Sequence, residues 1–315
     1  MKIHNLAPNL SMIDVEPPIP GWEEFIGVYV LKGEQVALID VGPQSSAGKL
    51  IEGLEALKVN PQHVSHILLT HIHLDHAGAA GGLLGSLPNA RVVVHPKGVP
   101  HLVNPGKLWE ASINTLGDMA RQYGRPHPVP PERIIAAEDG SNIALGDKIE
   151  LEAIYTPGHA AHHLSFLEAG SGMLFAGETC GVYLETVDFL RPSTPPPLIL
   201  EQALASIDRL LERNPGTVYF GHFGSGGDAR LQLSRHKGQL QLWRTVIGEA
   251  LGKGIEEPEA ILSKLLARDP FLKNLEKLPQ AQYQRERFLM LSGIKGFLGD
   301  ITQNQSKRRL KCANR

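Results

Sequence analysis

The sequence predicts an α/β domain followed by a helical C-terminal segment. Between about residues 25 and 220, short apolar runs typical of buried strands alternate with runs that have helical spacing. From about residue 228 onward, leucines recur at helical spacing with no strand pattern between them. We therefore predict one domain over residues 1–225 and a helical extension over residues 226–315.

The domain is predicted to begin with a β-hairpin. Residues 25–42 contain two β-rich runs separated by Lys32-Gly33-Glu34, which is a turn signal. Helices and strands then alternate. In chain order they are a helix at 45–58, a strand at 66–70, a small-residue helix at 78–87 and a strand at 91–94.

The second half of the domain begins with a candidate flap. Residues 98–131 are punctuated by proline and glycine around an amphipathic stretch, which is long for a simple connection. Strands are then predicted at 133–135, 148–155, 163–167 and 173–176. A proline-rich break at 192–197 precedes a helix at about 198–211 and a strand at 218–220.

Composition excludes several function classes. The formal net charge is −2 with 20% charged residues, which argues against nucleic acid or an anionic membrane as a partner. Cys180 and Cys312 are too far apart to suggest a disulfide framework. Because we also find no secretory signal or apolar span, we expect a cytoplasmic protein. The unusual number is 14 histidines.

Three of these histidines and an aspartate lie together at the end of a predicted strand. They are His71, His73, Asp75 and His76. Ligand sites in α/β sheets form beyond the carboxyl ends of strands. His71 and His73, two apart in an extended segment, can chelate one ion, and Asp75 and His76 can face a neighbouring ion. Imidazole and carboxylate are ligands expected of zinc, and also of iron or manganese.

Two further histidines follow other predicted strands. His159 comes after Thr156-Pro157-Gly158, and His222 comes after Val218-Tyr219-Phe220-Gly221. Each strand thus delivers one histidine to a loop at a strand exit. The spacing and residue types together predict a metal centre.

The motif set resembles the metallo-β-lactamase superfamily of hydrolases. The H-x-H-x-D-H stretch at 71–76, T-P-G-H at 156–159, an acidic residue at 178 and G-H at 221–222 occur in that family's order. The resemblance covers roughly residues 20–225. It implies a four-layer αβ/βα sandwich, in which two mixed sheets are flanked by helices, with the helical extension added at the C-terminus.

The resemblance also implies two divalent metal ions, with zinc as the first candidate and iron or manganese as alternatives. One ion would be held by His71, His73 and His159, and the other by Asp75, His76 and His222. Glu178 stands where the family usually has a metal-bridging aspartate. With one more methylene, Glu178 could bridge both ions, bind only one, or swing clear. We expect it to be a ligand.

Three residues have predicted roles beside metal binding. Asp75 could orient the nucleophile or pass a proton to the leaving group. Asp40 could accept the second N–H of a ligating histidine, or simply cap a turn. Tyr183 could donate a hydrogen bond to a substrate oxyanion, with packing as its other role. The histidines expected to be structural or exposed are His95, His101, His162 and His163.

The implied activity is hydrolysis of an ester, thioester or lactone of a small molecule. Hydroxyacylglutathione hydrolases and N-acyl homoserine lactonases share the ligand pattern. One alternative is a mononuclear iron oxygenase like the persulfide dioxygenases, which keep an H-x-H-x-D-H stretch. Another is a phosphodiesterase or nuclease of the same superfamily, which the near-neutral charge disfavours.

The helical extension also has two open interpretations. Leucine stripes at helical spacing usually face a core or an interface. The extension could shape the substrate entrance together with the flap at 98–131, or it could form a homodimer surface. The sequence does not separate these alternatives. The expected partner of the site is a small molecule, without nucleic acid or membrane.

Overall fold

The first sheet of the computed structural model has seven strands. The structure describes residues 2–313, with side chains described through residue 304. The strands are Ile3–Ala7 (β1), Leu10–Asp14 (β2), Gly27–Lys32 (β3), Val36–Ile39 (β4), Val64–Leu68 (β5), Arg91–Val94 (β6) and Ile134–Ala136 (β7). They lie side by side in chain order. Pairing is antiparallel from β1 to β4 and parallel from β4 to β7.

The remaining strands form a second, six-stranded sheet and a separate two-stranded ribbon. In chain order they are Ser141–Gly146 (β8), Ile149–Tyr155 (β9), Leu164–Glu168 (β10), Met173–Gly177 (β11), Val182–Leu184 (β12), Phe189–Arg191 (β13), Thr217–Phe220 (β14) and Ser225–Asp228 (β15). The six-stranded sheet has the order β15-β14-β11-β10-β9-β8, and β12 pairs with β13. Only the β11–β14 pair in this sheet is parallel, so both sheets are mixed.

Helices cover the outer faces of the two sheets. The helices on the first sheet are Ala47–Ala56 (α1), Leu74–Ala77 (α2), Ala80–Leu83 (α3), Val99–Val103 (α4), Gly106–Leu116 (α5) and Asp118–Tyr123 (α6). Those on the second sheet are Leu200–Glu212 (α7), Ala229–Leu251 (α8), Pro258–Arg268 (α9) and Gln280–Ala313 (α10).

Alternation along the strands builds three apolar layers. In β3, Val28 and Val30 face the helices of the first sheet, while Tyr29 and Leu31 face the second sheet. Successive strand side chains point to opposite faces, so a strand that is apolar throughout must be covered on both sides. The structure therefore confirms the four-layer αβ/βα sandwich with mixed sheets.

The structure agrees with the predicted hairpin. To within two residues at each end, it also has the predicted helices at 45–58 and 198–211 and the predicted strands at 66–70, 91–94, 133–135, 148–155, 163–167, 173–176 and 218–220. The helix expected at 78–87 is limited to the short helix α3 at Ala80–Leu83. The sequence analysis did not predict strands β1, β2, β8, β12, β13 and β15. β15 reads Ser-Gly-Gly-Asp, which has poor strand propensity, and its pairing with β14 decides its conformation.

The C-terminal helices share a core with the second sheet. Trp243 of α8 and Phe297 of α10 are fully buried in the same apolar cluster as Phe220 of β14. The predicted division after residue 225 falls inside β15. Whether the helices form a separate domain remains a prediction, but their apolar faces are buried against the sheet.

Two observations bear on the expected environment. Among residues 2–313, no helix combines the length and apolar character needed to span a membrane. Cys180 is buried and unpaired, and the Cys312 side chain lies outside the described part of the chain. The cytoplasmic location stays a prediction.

The shared core predicts a large stability loss for Trp243→Ala. Trp243 is fully buried, and its indole N–H donates to Asp269 at 2.7 Å. Replacing a buried tryptophan by alanine costs about 3–5 kcal/mol through lost transfer free energy and the cavity left behind. Urea unfolding should show this loss, whereas Thr245→Ala, at an exposed site on the same helix, should stay within about 0.5 kcal/mol of the parent. Equal midpoints for the two variants would refute the shared core.

Candidate metal centre

The seven predicted ligands come together at one edge of the sandwich, where strands from both sheets end. The H-x-H-x-D-H residues follow β5, with Asp75 and His76 in α2. His159 follows β9, Glu178 follows β11 and His222 follows β14. Backbone pairing across the sheets fixes these strand ends, so residues distant in sequence become neighbours.

The first ligand set converges on a single point. His73 Nδ1 lies 3.0 Å from His71 Nε2 and 3.0 Å from His159 Nε2. The three nitrogens all lie within 4.8 Å of one another. Apolar packing gives no reason for three imidazole nitrogens to point at one another. A divalent cation between them would accept a lone pair from each nitrogen.

The second set lies beside the first. Ligand atoms of Asp75, His76 and His222 also lie within 4.8 Å of one another. Glu178 Oε1 is 2.9 Å from His222 Nε2 and 3.4 Å from His76 Nε2. Asp75 Oδ2 is 3.9 Å from His76 Nε2. Two imidazoles and two carboxylates therefore surround one position.

The Glu178 carboxylate lacks the donors that a buried anion needs. The residue is 3% exposed, and neither oxygen accepts a hydrogen bond from the described part of the chain. Burial alone would raise the pKa of Glu178, but the facing imidazoles, His222 first, hold it well below its usual value. Among the described residues, its close partners are the imidazole nitrogens of His76 and His222, and neither forms a hydrogen bond to it. Because a buried anion needs a positive partner, the residues present fit a divalent cation held between these groups.

Hydrogen bonds behind two histidines select the tautomer that a metal requires. His71 Nδ1 lies 3.0 Å from Thr70 Oγ1, and His159 Nδ1 lies 2.9 Å from the Ser193 carbonyl oxygen. A proton on each Nδ1 leaves the Nε2 lone pair free toward the site. Outer partners of this kind orient ligating histidines and raise their basicity.

Asp40 takes the same position behind His76. Its Oδ2 lies 2.9 Å from His76 Nδ1, and both residues are buried. Of the two roles that the sequence left open, this geometry matches an acceptor for a ligating histidine.

Burial and neighbouring charges set the protonation of the histidines. Burial, with the other imidazoles adding to it, lowers the pKa of His71 and His73 well below their ordinary value. Burial would also lower the pKa of His76, but Asp75 and then Asp40 raise it well above its usual value. Neutral imidazole is the form that binds a metal, so His71 and His73 are ready to bind, whereas His76 must release its proton when an ion binds.

His163, which the sequence analysis expected to be structural or exposed, is buried and holds the loop that carries Glu178. The Glu178 backbone N–H donates to His163 Nε2 at 3.0 Å. Gly177, at φ +54°, allows this approach, since a Cβ there would lie 2.4 Å from the same nitrogen. In the sequence, the histidine pair at 162–163 was the only signal for this contact. The contact forms because His163 precedes β10, Glu178 follows β11, and these two strands pair.

Six of the seven candidate ligands, all except His71, border a cavity of about 360 Å³. Helices α5, α6 and α10 supply its other sides, so the flap and the helical extension both shape it. Its lining is mainly apolar and includes Leu108, Leu116, Met119, Phe288 and Leu289. His101 and His162 also border it, while His95 stacks on Tyr155 with ring centroids 4.6 Å apart.

Tyr183 lies away from this cavity. Its hydroxyl donates to Asp188 at 3.0 Å, and its ring packs against Phe220. It is not among the described residues that line the cavity. The position matches the packing role and gives no support to a substrate contact.

Relatives of the chain are consistent with this architecture. A metallo-beta-lactamase fold-containing protein of Sulfurisphaera tokodaii is 32% identical over 245 residues, covering 74% of this chain and 88% of the relative. An archaeal metallo-beta-lactamase superfamily structure from Sulfolobus tokodaii has a TM-score of 0.70 at 26% identity, over 92% of this chain and 98% of that one. A metallo-beta-lactamase family protein from Thermus thermophilus has a TM-score of 0.65 at 28% identity, over 90% and 95%.

Two relatives have names that state an activity. The N-acyl homoserine lactonase AttM of Agrobacterium fabrum is 27% identical, over 53% of this chain and 65% of its own length. A hydroxyacylglutathione hydrolase of Aeromonas salmonicida is 29% identical, over 48% and 45%. The family model for the metallo-beta-lactamase superfamily matches residues 23–222. That match contains every candidate ligand, and the chain belongs to the metallo-beta-lactamase superfamily.

Proposed function

We propose that the protein is a hydrolase with two divalent metal ions that cleaves an ester, thioester or lactone of a small molecule. The observation that carries this proposal is the pair of adjacent ligand sets. Beside the second set lies the buried Glu178 carboxylate, which accepts no hydrogen bond from the described residues. Membership of the superfamily supports metal-dependent hydrolysis in general. The names of the N-acyl homoserine lactonase and hydroxyacylglutathione hydrolase relatives support attack at a carbonyl carbon.

The two ligand sets, Asp75 and the apolar lining would have different roles in hydrolysis. Divalent ions held by the two sets would supply Lewis-acid polarisation of a carbonyl oxygen and lower the pKa of water toward neutrality. Asp75 borders the cavity, so its carboxylate can orient the attacking water and carry a proton to the leaving group. The apolar lining would exclude bulk water and hold a small substrate, for which about 360 Å³ is sufficient.

Glu178 is assigned to the second ion. Its carboxylate lies within 4.0 Å of nitrogens of His76 and His222, and of no histidine of the first set among the described residues. Since a bridging carboxylate would contact both sets, this asymmetry supports ligation of one ion. The longer side chain thus reaches the second set from a backbone held by His163.

The first prediction concerns metal content. Zinc-loaded protein should hold two ions per chain in elemental analysis, because each set offers at least three ligand atoms. His73→Ala should lose the first ion, since His73 Nδ1 contacts both other nitrogens of that set. His63→Ala, at an exposed site, is the matched control and should keep both ions. A single iron per chain would contradict the dinuclear centre and favour the oxygenase alternative.

The second prediction separates Glu178 from the first set. Glu178→Gln keeps the side-chain volume but removes the charge. The affinity for the second ion should therefore fall at least about tenfold, since changing even a residue behind the ligands usually costs this much metal affinity. Titration with a zinc chelator should show one tightly and one weakly held ion. Glu178→Asp restores the charge and should recover part of the affinity. Loss of both ions together would contradict the assignment to one site.

The third prediction tests the reaction class. A panel of thioesters, lactones and phosphodiesters should show turnover of carbonyl substrates only. His73→Ala should lower kcat/KM by at least about 100-fold, because the polarising ion is lost. The His63→Ala control should match the parent. Phosphodiester cleavage that depends on His73 would instead support the nuclease alternative.

A further inference from the structure

One helix of the flap has an apolar face that the rest of the chain covers only in part. No residue of α5 is buried, although four of its 11 residues are large and apolar. The residues of α5 that border the cavity stand at positions 107, 108, 111, 112, 115 and 116. Spacings of three and four residues place them on one face of the helix. The cavity therefore extends along the whole length of α5.

The C-terminal extension borders the same cavity with a second apolar face. Phe288, Leu289 and Ser292 of α10 have the spacing of one helical face, and Phe288 is 44% exposed. Exposed apolar surface of this kind is unfavourable in water and typical of a binding site. We call the region between the two helices the α5–α10 cleft. Its apolar residues are Leu108, Leu116, Met119 of the adjoining α6, Phe288 and Leu289.

The hydroxyl groups of α5 in the cleft are already used within the helix. Ser112 Oγ donates to the Leu108 carbonyl oxygen at 2.8 Å, and Thr115 Oγ1 donates to the Ala111 carbonyl oxygen at 2.9 Å. Such bonds to the preceding turn satisfy the hydroxyl proton without a ligand. The flap side of the cleft therefore offers a ligand mainly apolar contact.

The charged groups around the cleft do not call for an ionic ligand. Outside the candidate metal centre, and histidines aside, the charged residues lining the cavity in the described part of the chain are Lys107 and Arg191. Arg191 is buried and donates to Glu286. Lys107 is exposed, so its stem can lie on apolar surface while its ammonium group stays in water. The cleft thus favours an uncharged, apolar group.

The cleft and the candidate metal centre belong to one cavity. His73, Asp75 and Glu178 line the same space as Leu108 and Phe288. A group that lies in the cleft can therefore be part of the molecule that reaches the metal centre. This continuity identifies the occupant as a portion of the substrate.

We propose that the substrate carries an uncharged alkyl chain, attached to the scissile carbonyl carbon or to its leaving group, and that this chain lies in the α5–α10 cleft. The proposal rests on the hydrolase function proposed above. Burial of one methylene group is worth up to about fourfold in affinity, so the cleft would select substrates by chain length. Its residues would determine specificity and take no part in bond cleavage.

Two isomeric thioesters test the chain and its point of attachment. S-ethyl hexanethioate has the long chain on the acyl side, S-hexyl ethanethioate has it on the leaving group, and S-ethyl ethanethioate is the short reference. With the zinc-loaded parent, at least one isomer should exceed the reference by at least about tenfold in kcat/KM, because its added methylenes are buried. The isomer that shows this gain identifies the side on which the chain lies. No gain with either isomer would overturn the proposal.

Variants of the cleft should reduce the gain and leave the short reference unchanged. Met119→Gln keeps the side-chain length but makes its end polar, and Phe288→Asn removes a partly exposed ring. Each should lower the gain at least about threefold, through lost apolar contact. Thr115→Val should keep the gain, because its hydroxyl group bonds within α5. Leu231→Asn, at an exposed leucine of α8 outside the cavity lining, is the matched control, and a full gain in both cleft variants would contradict the proposal.

A binding measurement separates the cleft from the hydrolase function. Calorimetric titration of the zinc-loaded parent with 1-butanol, 1-hexanol and 1-octanol needs no turnover, and any contact of the hydroxyl group with a metal is common to the series. Affinity should rise at least about twofold per methylene, and less steeply in Met119→Gln. If no thioester is cleaved but this rise appears, the hydrolase function is wrong and the cleft stands. Equal affinity for the three alcohols would overturn the cleft.

A second copy of the chain is the competing occupant of the cleft. In that case sedimentation velocity would show a dimer that Phe288→Asn dissociates and Leu231→Asn does not, and this result would overturn the proposal. A monomer, or a dimer that persists in Phe288→Asn, supports a cleft that is open to the substrate.

Discussion

The candidate metal centre depends on the buried carboxylate of Asp40. This residue follows β4 and accepts from the Thr70 backbone N–H at 2.8 Å, from Thr70 Oγ1 at 2.8 Å and from His76 Nδ1 at 2.9 Å. It therefore ties the ends of two parallel strands to the helix that carries a ligand. Asp40 has φ +53°, a conformation that costs free energy and persists only where its surroundings hold it. Without these contacts, the H-x-H-x-D-H loop would have no fixed direction.

The sequence-based prediction contained the ligands and, behind them, Asp40, but not the Ser193 carbonyl oxygen or His163. His71, His73 and His76 lie within six positions at a strand exit, and that signal is visible without a structure. The Ser193 carbonyl oxygen and His163 act through contacts with residues 34 and 15 positions away. Such contacts follow from strand pairing, which neither propensity nor spacing encodes.

The same distinction explains which strands were predicted. Runs such as Arg91–Val94 are rich in β-branched apolar residues, so the sequence predicts buried parallel strands there. β15 contains two glycines, and β1 is only partly buried at the edge of its sheet. Their conformation is imposed by a neighbouring strand that offers unpaired backbone groups, and this tertiary effect overrides weak local preference.

The helical extension reaches the metal centre through an aromatic contact rather than through the backbone. The Arg285 guanidinium lies 3.9 Å from the centroid of the Phe25 ring, and Phe25 stacks on His222 with centroids 4.1 Å apart. Burial would raise the pKa of Glu286, but the charges of Arg191 and Arg285 hold it below its ordinary value, so the carboxylate stays ionised between them. One buried ion cluster thus positions an arginine against the ring behind a candidate ligand and another arginine at the cavity wall. A helix that closes the cavity in this way is part of the site, which is why the leucine stripes alone could not reveal its role.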